Sequence, residues 1–107
     1  MIALGAFGCI GDASHVVEYH NSTTQALNVY ADNPAKASNA RLVAPGATLK
    51  DQWIVPATRG GTLSGPARQI EARTQGGQRI FCHLYTYEEL ERASWVIEVV
   101  QHDDCSN

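Results

Sequence analysis

Charge is scarce in this chain, and basic charge scarcer still. Charged residues fill 18% of the 107 positions, and Lys36 and Lys50 are the only lysines. The arginines are strewn from Arg41 to Arg92, and the formal net charge is −3. Nucleic-acid binding needs clustered Lys and Arg, so that class of partner is excluded. No stretch approaches the ~20 consecutive apolar residues that a helix needs to cross a bilayer. Cys-x-x-Cys and His-x-His are missing, as are internal repeats, heptads and low-complexity tracts. A chain of this length builds one hydrophobic core.

Short apolar-alternating runs are what the sequence does contain. Residues 14–20 and 25–31 alternate, and the polar Asn21-Ser22-Thr23-Thr24 between them predicts a hairpin. Residues 41–44 form a short extended piece ahead of a Pro45-Gly46 turn. Residues 48–55 and 67–74 read as further strands, separated by a Gly-rich stretch over 58–66. Gly76-Gly77 supplies another turn, residues 79–85 another strand, and residues 95–100 the last. Thr86-Tyr87-Glu88-Glu89 fits a capping box that opens a short helix. Regular short strands with turn signals predict a mainly β domain, a small antiparallel sandwich or open barrel of about six to seven strands with one short helix near the C-terminus. The expected core is Val17, Leu27, Val29, Trp53, Ile70, Ile80, Leu84, Leu90, Trp95 and Ile97. The polar stretch 101–107 reads as a frayed tail.

Tests for chemistry return little. His15 and His20 are five apart, so on one strand they face opposite ways. His83, His102, Asp103 and Asp104 converge only if the tail folds back, so no metal site is expected. Gly61-Thr62-Leu63-Ser64-Gly65 misses the nucleophile elbow by one position, and Pro66 stands where a phosphate loop needs Lys. Cys82 and His83 are strand neighbours and face apart. Glu88 and Glu89 suit the helix N-terminus. Asn21-Ser22-Thr23 is a glycosylation sequon, which has meaning only in a eukaryotic secretory chain. Phe81, His83 and Tyr85 share one strand face, opposite Ile80, Cys82 and Leu84. That aromatic face either lies under the helix, the favoured reading, or forms an exposed patch for a partner.

Residues 1–13 are apolar and small before they break into Gly11-Asp12-Ala13, and are set apart from the β domain over 14–107. Ala6-Phe7-Gly8-Cys9 resembles the end of a bacterial lipoprotein signal, in which the Cys becomes the lipidated N-terminus. Ala6 stands where that pattern usually has an aliphatic residue, and the basic n-region is missing; a start lying inside a longer signal explains both. The alternative is an apolar first strand or a tail. With Cys9 lipidated, Cys82 and Cys105 remain as a pair, and a bond between them would contribute about 3 kcal/mol on the chain-entropy model. In a reducing cytosol both stay thiols.

Three runs resemble small bacterial β-sandwich proteins of uncharacterised function, often predicted lipoproteins. They are residues 17–23, residues 43–48, and the C-terminal set 79–82, 85–90 and 95–99. The resemblance implies an envelope setting and an extracellular or periplasmic fold, and it brings no catalytic residues. The function expected is that of a non-enzymatic envelope protein without cofactor, tethered to the membrane through lipid on Cys9, in a structural or binding role. The alternative is a soluble module that binds a small molecule or protein through the loop Arg59 to Gly65 and the face of Phe81, His83 and Tyr85. Without export the chain is cytoplasmic.

Overall fold

Two sheets pack face to face in the computed structural model, which describes residues 12–31, 39–56 and 63–105. The first sheet has the order β4-β1-β7, from β1 (Asp12–Asn21), β4 (Thr48–Pro56) and β7 (Val96–Val99). The second has the order β3-β2-β5-β6-β8, from β2 (Leu27–Tyr30), β3 (Arg41–Val43), β5 (Pro66–Thr74), β6 (Arg79–Thr86) and β8 (His102–Asp103). One helix, α1 (Tyr87–Arg92), joins β6 to β7 and so carries the chain from the second sheet to the first. The mainly β sandwich with a short helix near its C-terminus is as the alternation predicts. Two pairings depart from the all-antiparallel expectation: β7 runs parallel to β1, and β8 parallel to β6.

The strands other than β8 each contribute one face to a shared interior, as period-two alternation requires. Val17 and Tyr19, Trp53 and Val55, Leu27 and Val29, Ile70 and Ala72, and Ile97 and Val99 are all buried. Leu90 enters from the helix, and Trp95 from the turn that follows it. Trp95 stacks on His15 at 4.1 Å and meets Trp53 edge-on at 6.4 Å.

The hairpin expected from residues 14–20 and 25–31 does not form, because β1 and β2 lie in different sheets. Asn21 redirects the chain. Its buried side-chain amide donates to the carbonyls of Gln25 (2.7 Å) and Val43 (3.0 Å). Its oxygen accepts from the Thr23 N–H (2.9 Å) and the Thr23 hydroxyl (2.6 Å). The backbone is tied as well: the Asn21 N–H donates to Ala47 O, and Gly46 N–H to Asn21 O. Local side-chain bonds of this kind compete with hairpin pairing. They also remove Asn21 as a glycan acceptor, since its amide is spent and fully buried.

A second correction concerns β6. Leu84, expected in the core, is 55% exposed. Phe81 pairs with Ala72, and His83 with Ile70, so Phe81, His83 and Tyr85 take the inward side. Leu84 pairs with Gln69 and faces out. The register skips Ile80, because Arg73 faces Arg79 and Ala72 faces Phe81. That bulge lets consecutive residues Ile80 and Phe81 both be buried, which strict alternation forbids.

The helix has the predicted capping box. The Thr86 hydroxyl accepts from the Glu89 N–H, and Glu89 Oε1 accepts from the Thr86 N–H at 2.9 Å. At its other end the Ser94 N–H reaches Glu91 O and the Trp95 N–H reaches Leu90 O, a Schellman pattern. Ser94 and Trp95 both sit at positive φ, 54° and 62°. For residues other than glycine this costs roughly 1–2 kcal/mol each, offset here by burying Trp95 against the core.

Candidate functional site

Beyond β7, residues 101–105 form a strap rather than the start of a frayed tail. His102 lies opposite Phe81 and Asp103 opposite Cys82, and the Asp104 N–H donates to Cys82 O at 3.0 Å. A disulfide joins Cys82 to Cys105. Arg79 adds a two-pronged contact, Nε to Asp103 Oδ2 at 2.8 Å and Nη2 to Oδ1 at 3.2 Å. That bond from Arg79 holds the Asp103 carboxyl below its ordinary pKa. Disulfides form and persist in oxidising, extracytoplasmic compartments, and this bond points to that setting.

The strap brings four titratable side chains together at the end of β6. His83 Nδ1 lies 2.8 Å from Asp104 Oδ2, and His83 Nε2 lies 2.8 Å from Glu89 Oε2. His102 Nε2 meets the same Asp104 oxygen at 3.0 Å. Glu89 therefore divides its labour, one oxygen capping the helix and the other holding His83. Partial burial opposes charge on His83, but the bonds to Glu89 and Asp104 prevail and its pKa is raised. Burial likewise opposes ionisation of Glu89, and the Thr86 backbone and His83 overcome it, so its pKa is lowered. Asp104 is lowered by its bonds from His83 and His102. Tyr85 stands edge-on to His83 at 4.5 Å, with its own pKa raised to about 12 by burial and then by Glu89.

This cluster opens onto a depression of about 470 Å³ lined by Gln69, His83, Leu84, Asp104 and Cys105. Cys82, Asp103 and Cys105 also converge, but the two sulfurs are bonded to each other and Asp103 is engaged by Arg79. The conditional reading of the tail is thus met for His83, His102 and Asp104, while Asp103 turns to Arg79.

The other residues singled out from the sequence fare differently. Phe81 is 2% exposed, sealed in the core. Tyr85 is half-buried against it, so the aromatic face lies inward. Cys9, Arg59 and the loop up to Thr62 lie outside the described residues. The end of that loop is stitched to the helix: Gly65 N–H donates to Glu88 Oε1, and Tyr87 N–H to Gly65 O. The sequence assigned Glu89 to the cap alone. A His six residues ahead of it, on the strand that feeds the helix, was the available signal.

Two further polar clusters are structural. Trp53 Nε1 donates to the Tyr19 hydroxyl, which donates to Asp51, and Arg41 pairs with the other Asp51 oxygen. Burial pushes the Tyr19 pKa upward. On the outer face of the first sheet, His20 Nδ1 lies 2.9 Å from Glu98 Oε1, and the Ser22 hydroxyl donates to that oxygen at 2.7 Å. A catalytic triad needs the carboxylate and the serine on opposite ring nitrogens; here both meet Nδ1. The chain matches no family model, no curated protein and no solved structure.

Proposed function

We propose that this chain is a non-enzymatic envelope domain, held to a membrane by lipid on Cys9 and serving a binding or structural role. The Cys82–Cys105 disulfide carries the reading, because it belongs to an oxidising compartment outside the cytoplasm. The polar clusters support the non-enzymatic part: both His83 nitrogens are taken by carboxylates, and the Ser22 proton goes to Glu98. Intact mass after expression in a lipoprotein-processing bacterium, measured without reductant, tests it. The expected result is loss of residues 1–8, an added acyl mass on Cys9 and two missing protons. An unprocessed, fully reduced chain overturns it.

A soluble binding module is the second reading, favoured by the depression beside the exposed Leu84. An oxidised chain without acyl mass, whose melting temperature rises with a bound small molecule, would select it.

A further inference from the structure

His83 stands between two acceptors. Its Nε2 lies 2.8 Å from Glu89 Oε2 on α1, and its Nδ1 lies 2.8 Å from Asp104 Oδ2 on the strap. An ionised carboxylate only accepts, and a neutral imidazole carries a single N–H. Both contacts are therefore hydrogen bonds only when the ring holds two protons and is charged. Neither carboxyl supplies the missing proton. Burial opposes ionisation of Glu89, but bonds from Thr86 and His83 hold it below its ordinary pKa, and bonds from His83 and His102 do the same for Asp104. We propose that His83 is a pH-sensitive latch: charged, it ties the strap to the helix; neutral, it keeps Glu89 and releases the Asp104 side chain, opening the depression beside Leu84.

The two carboxylates differ in how firmly they are held, which decides the one that leaves. Glu89 is fixed by its other oxygen, which accepts from the Thr86 N–H at 2.9 Å. The Asp104 side chain is 41% exposed and has a second partner in His102 Nε2 at 3.0 Å, on a ring that is itself mostly exposed. The one proton of a neutral His83 therefore stays on Nε2, and the Nδ1 lone pair faces a carboxylate oxygen, a repulsive contact. The movement is local, because Asp103 is held by Arg79 and Cys105 by the disulfide on either side of Asp104. Facing His83 are Glu89 from the helix, Asp104 from the strap with His102 behind it, and Tyr85 from its own strand, edge-on at 4.5 Å. Burial, then Glu89, raises the Tyr85 pKa to about 12, so that phenol stays neutral throughout. From β5, apolar Ile70 lies opposite His83, and uncharged Gln69 lines the depression with it. Burial opposes the charge on His83, but Glu89 and Asp104 outweigh it and the folded pKa is raised. The latch is thus closed below the ordinary imidazole value and opens as pH rises through the raised one. Asp104 lines the depression of about 470 Å³, so its departure widens that space. This inference stands apart from lipid anchoring, since an unprocessed chain with the disulfide intact carries the whole latch.

The test is an NMR titration of the full chain with its disulfide intact, reading the His83 ring, the Asp104 carboxyl carbon and the Cys105 amide. The expected result is a His83 midpoint above that of the same residue in the urea-unfolded chain, with the Asp104 and Cys105 signals moving at that midpoint. Opening is read separately: broadening of the His83 ring protons by a neutral, soluble nitroxide rises above the midpoint. Glu89→Gln, which keeps the capping pattern, and Asp104→Asn each shift the His83 midpoint downward. His83→Gln abolishes the step in the strap, and His102→Gln leaves it in place. The wild-type signals decide the matter even where a variant fails to fold. A His83 midpoint at or below the unfolded value overturns the latch, as do strap signals that ignore that midpoint or nitroxide broadening that does not rise. A step that persists in His83→Gln overturns it too, and one that vanishes in His102→Gln transfers the titration to His102.

Discussion

Asn21 and His83 each tie together three separated pieces of chain, yet they are built on opposite terms. Asn21 is neutral and fully buried, and its amide is matched atom for atom to Gln25, Val43 and Thr23. His83 lies at the rim between two carboxylates, which favour its charged form. A buried polar group with every bond made fixes the path of the backbone, and losing it strands its former partners. A solvent-facing ion pair contributes little to stability. The first arrangement therefore explains the fold, and the second adds little to it.

That contrast can be broken at several points. The largest effect is expected in the interior that both networks border. Trp95→Ala removes an aromatic packed against His15, Trp53 and Tyr87 and should cost roughly 3–5 kcal/mol. A denaturant midpoint close to that of the wild type would overturn the core assignment. Opening the disulfide with a Cys82→Ala, Cys105→Ala double variant should cost about 3 kcal/mol; no loss would mean that the strap is held by its ion pairs alone. Asn21→Ala should cost about 2 kcal/mol, whereas His83→Ala should cost less than about 1 kcal/mol. The reverse order in paired unfolding curves would collapse the comparison. The smallest effect is a pH dependence. Bonds from Ser22 and then His20 depress the folded pKa of Glu98. Its contribution is present above the ordinary carboxylate range and fades as pH falls through the depressed value. A small acid-side loss of stability that Glu98→Gln abolishes is the expected signature; an unchanged profile in that variant assigns the loss to other carboxylates.

The sequence carried the longer strands because each buries one face, so Val17 and Tyr19 or Ile97 and Val99 announce themselves by spacing. Pro45-Gly46 and Gly76-Gly77 carried their turns, with Gly46 and Gly77 at positive φ. Pairing was harder to read. Whether the chain turns back on itself after β1 depends on where the Asn21 amide finds its partners, and one of them, Val43, is twenty-two residues away. The bulge at Ile80 inverts the faces of β6, which a strict period of two cannot express. The site was legible only conditionally. His83, His102, Asp103 and Asp104 stood out as a set that converges only if the tail folds back, and the meeting of three of them depends on a two-residue strand with no periodicity of its own, while Asp103 turns to Arg79.

That short strand also covers part of a sheet border. A strand at the border of a sheet offers unpaired amides and carbonyls to any neighbouring chain. Here β8 lies along β6 at Phe81 and Cys82, fastened by a covalent bond and followed by acidic Asp104. The strap thus works as an edge guard, and its integrity bears on colloidal behaviour as much as on folding. A preparation with Cys82 and Cys105 left reduced presents a longer border of β6, so its tendency to associate rises with concentration even while the rest of the sandwich stays intact.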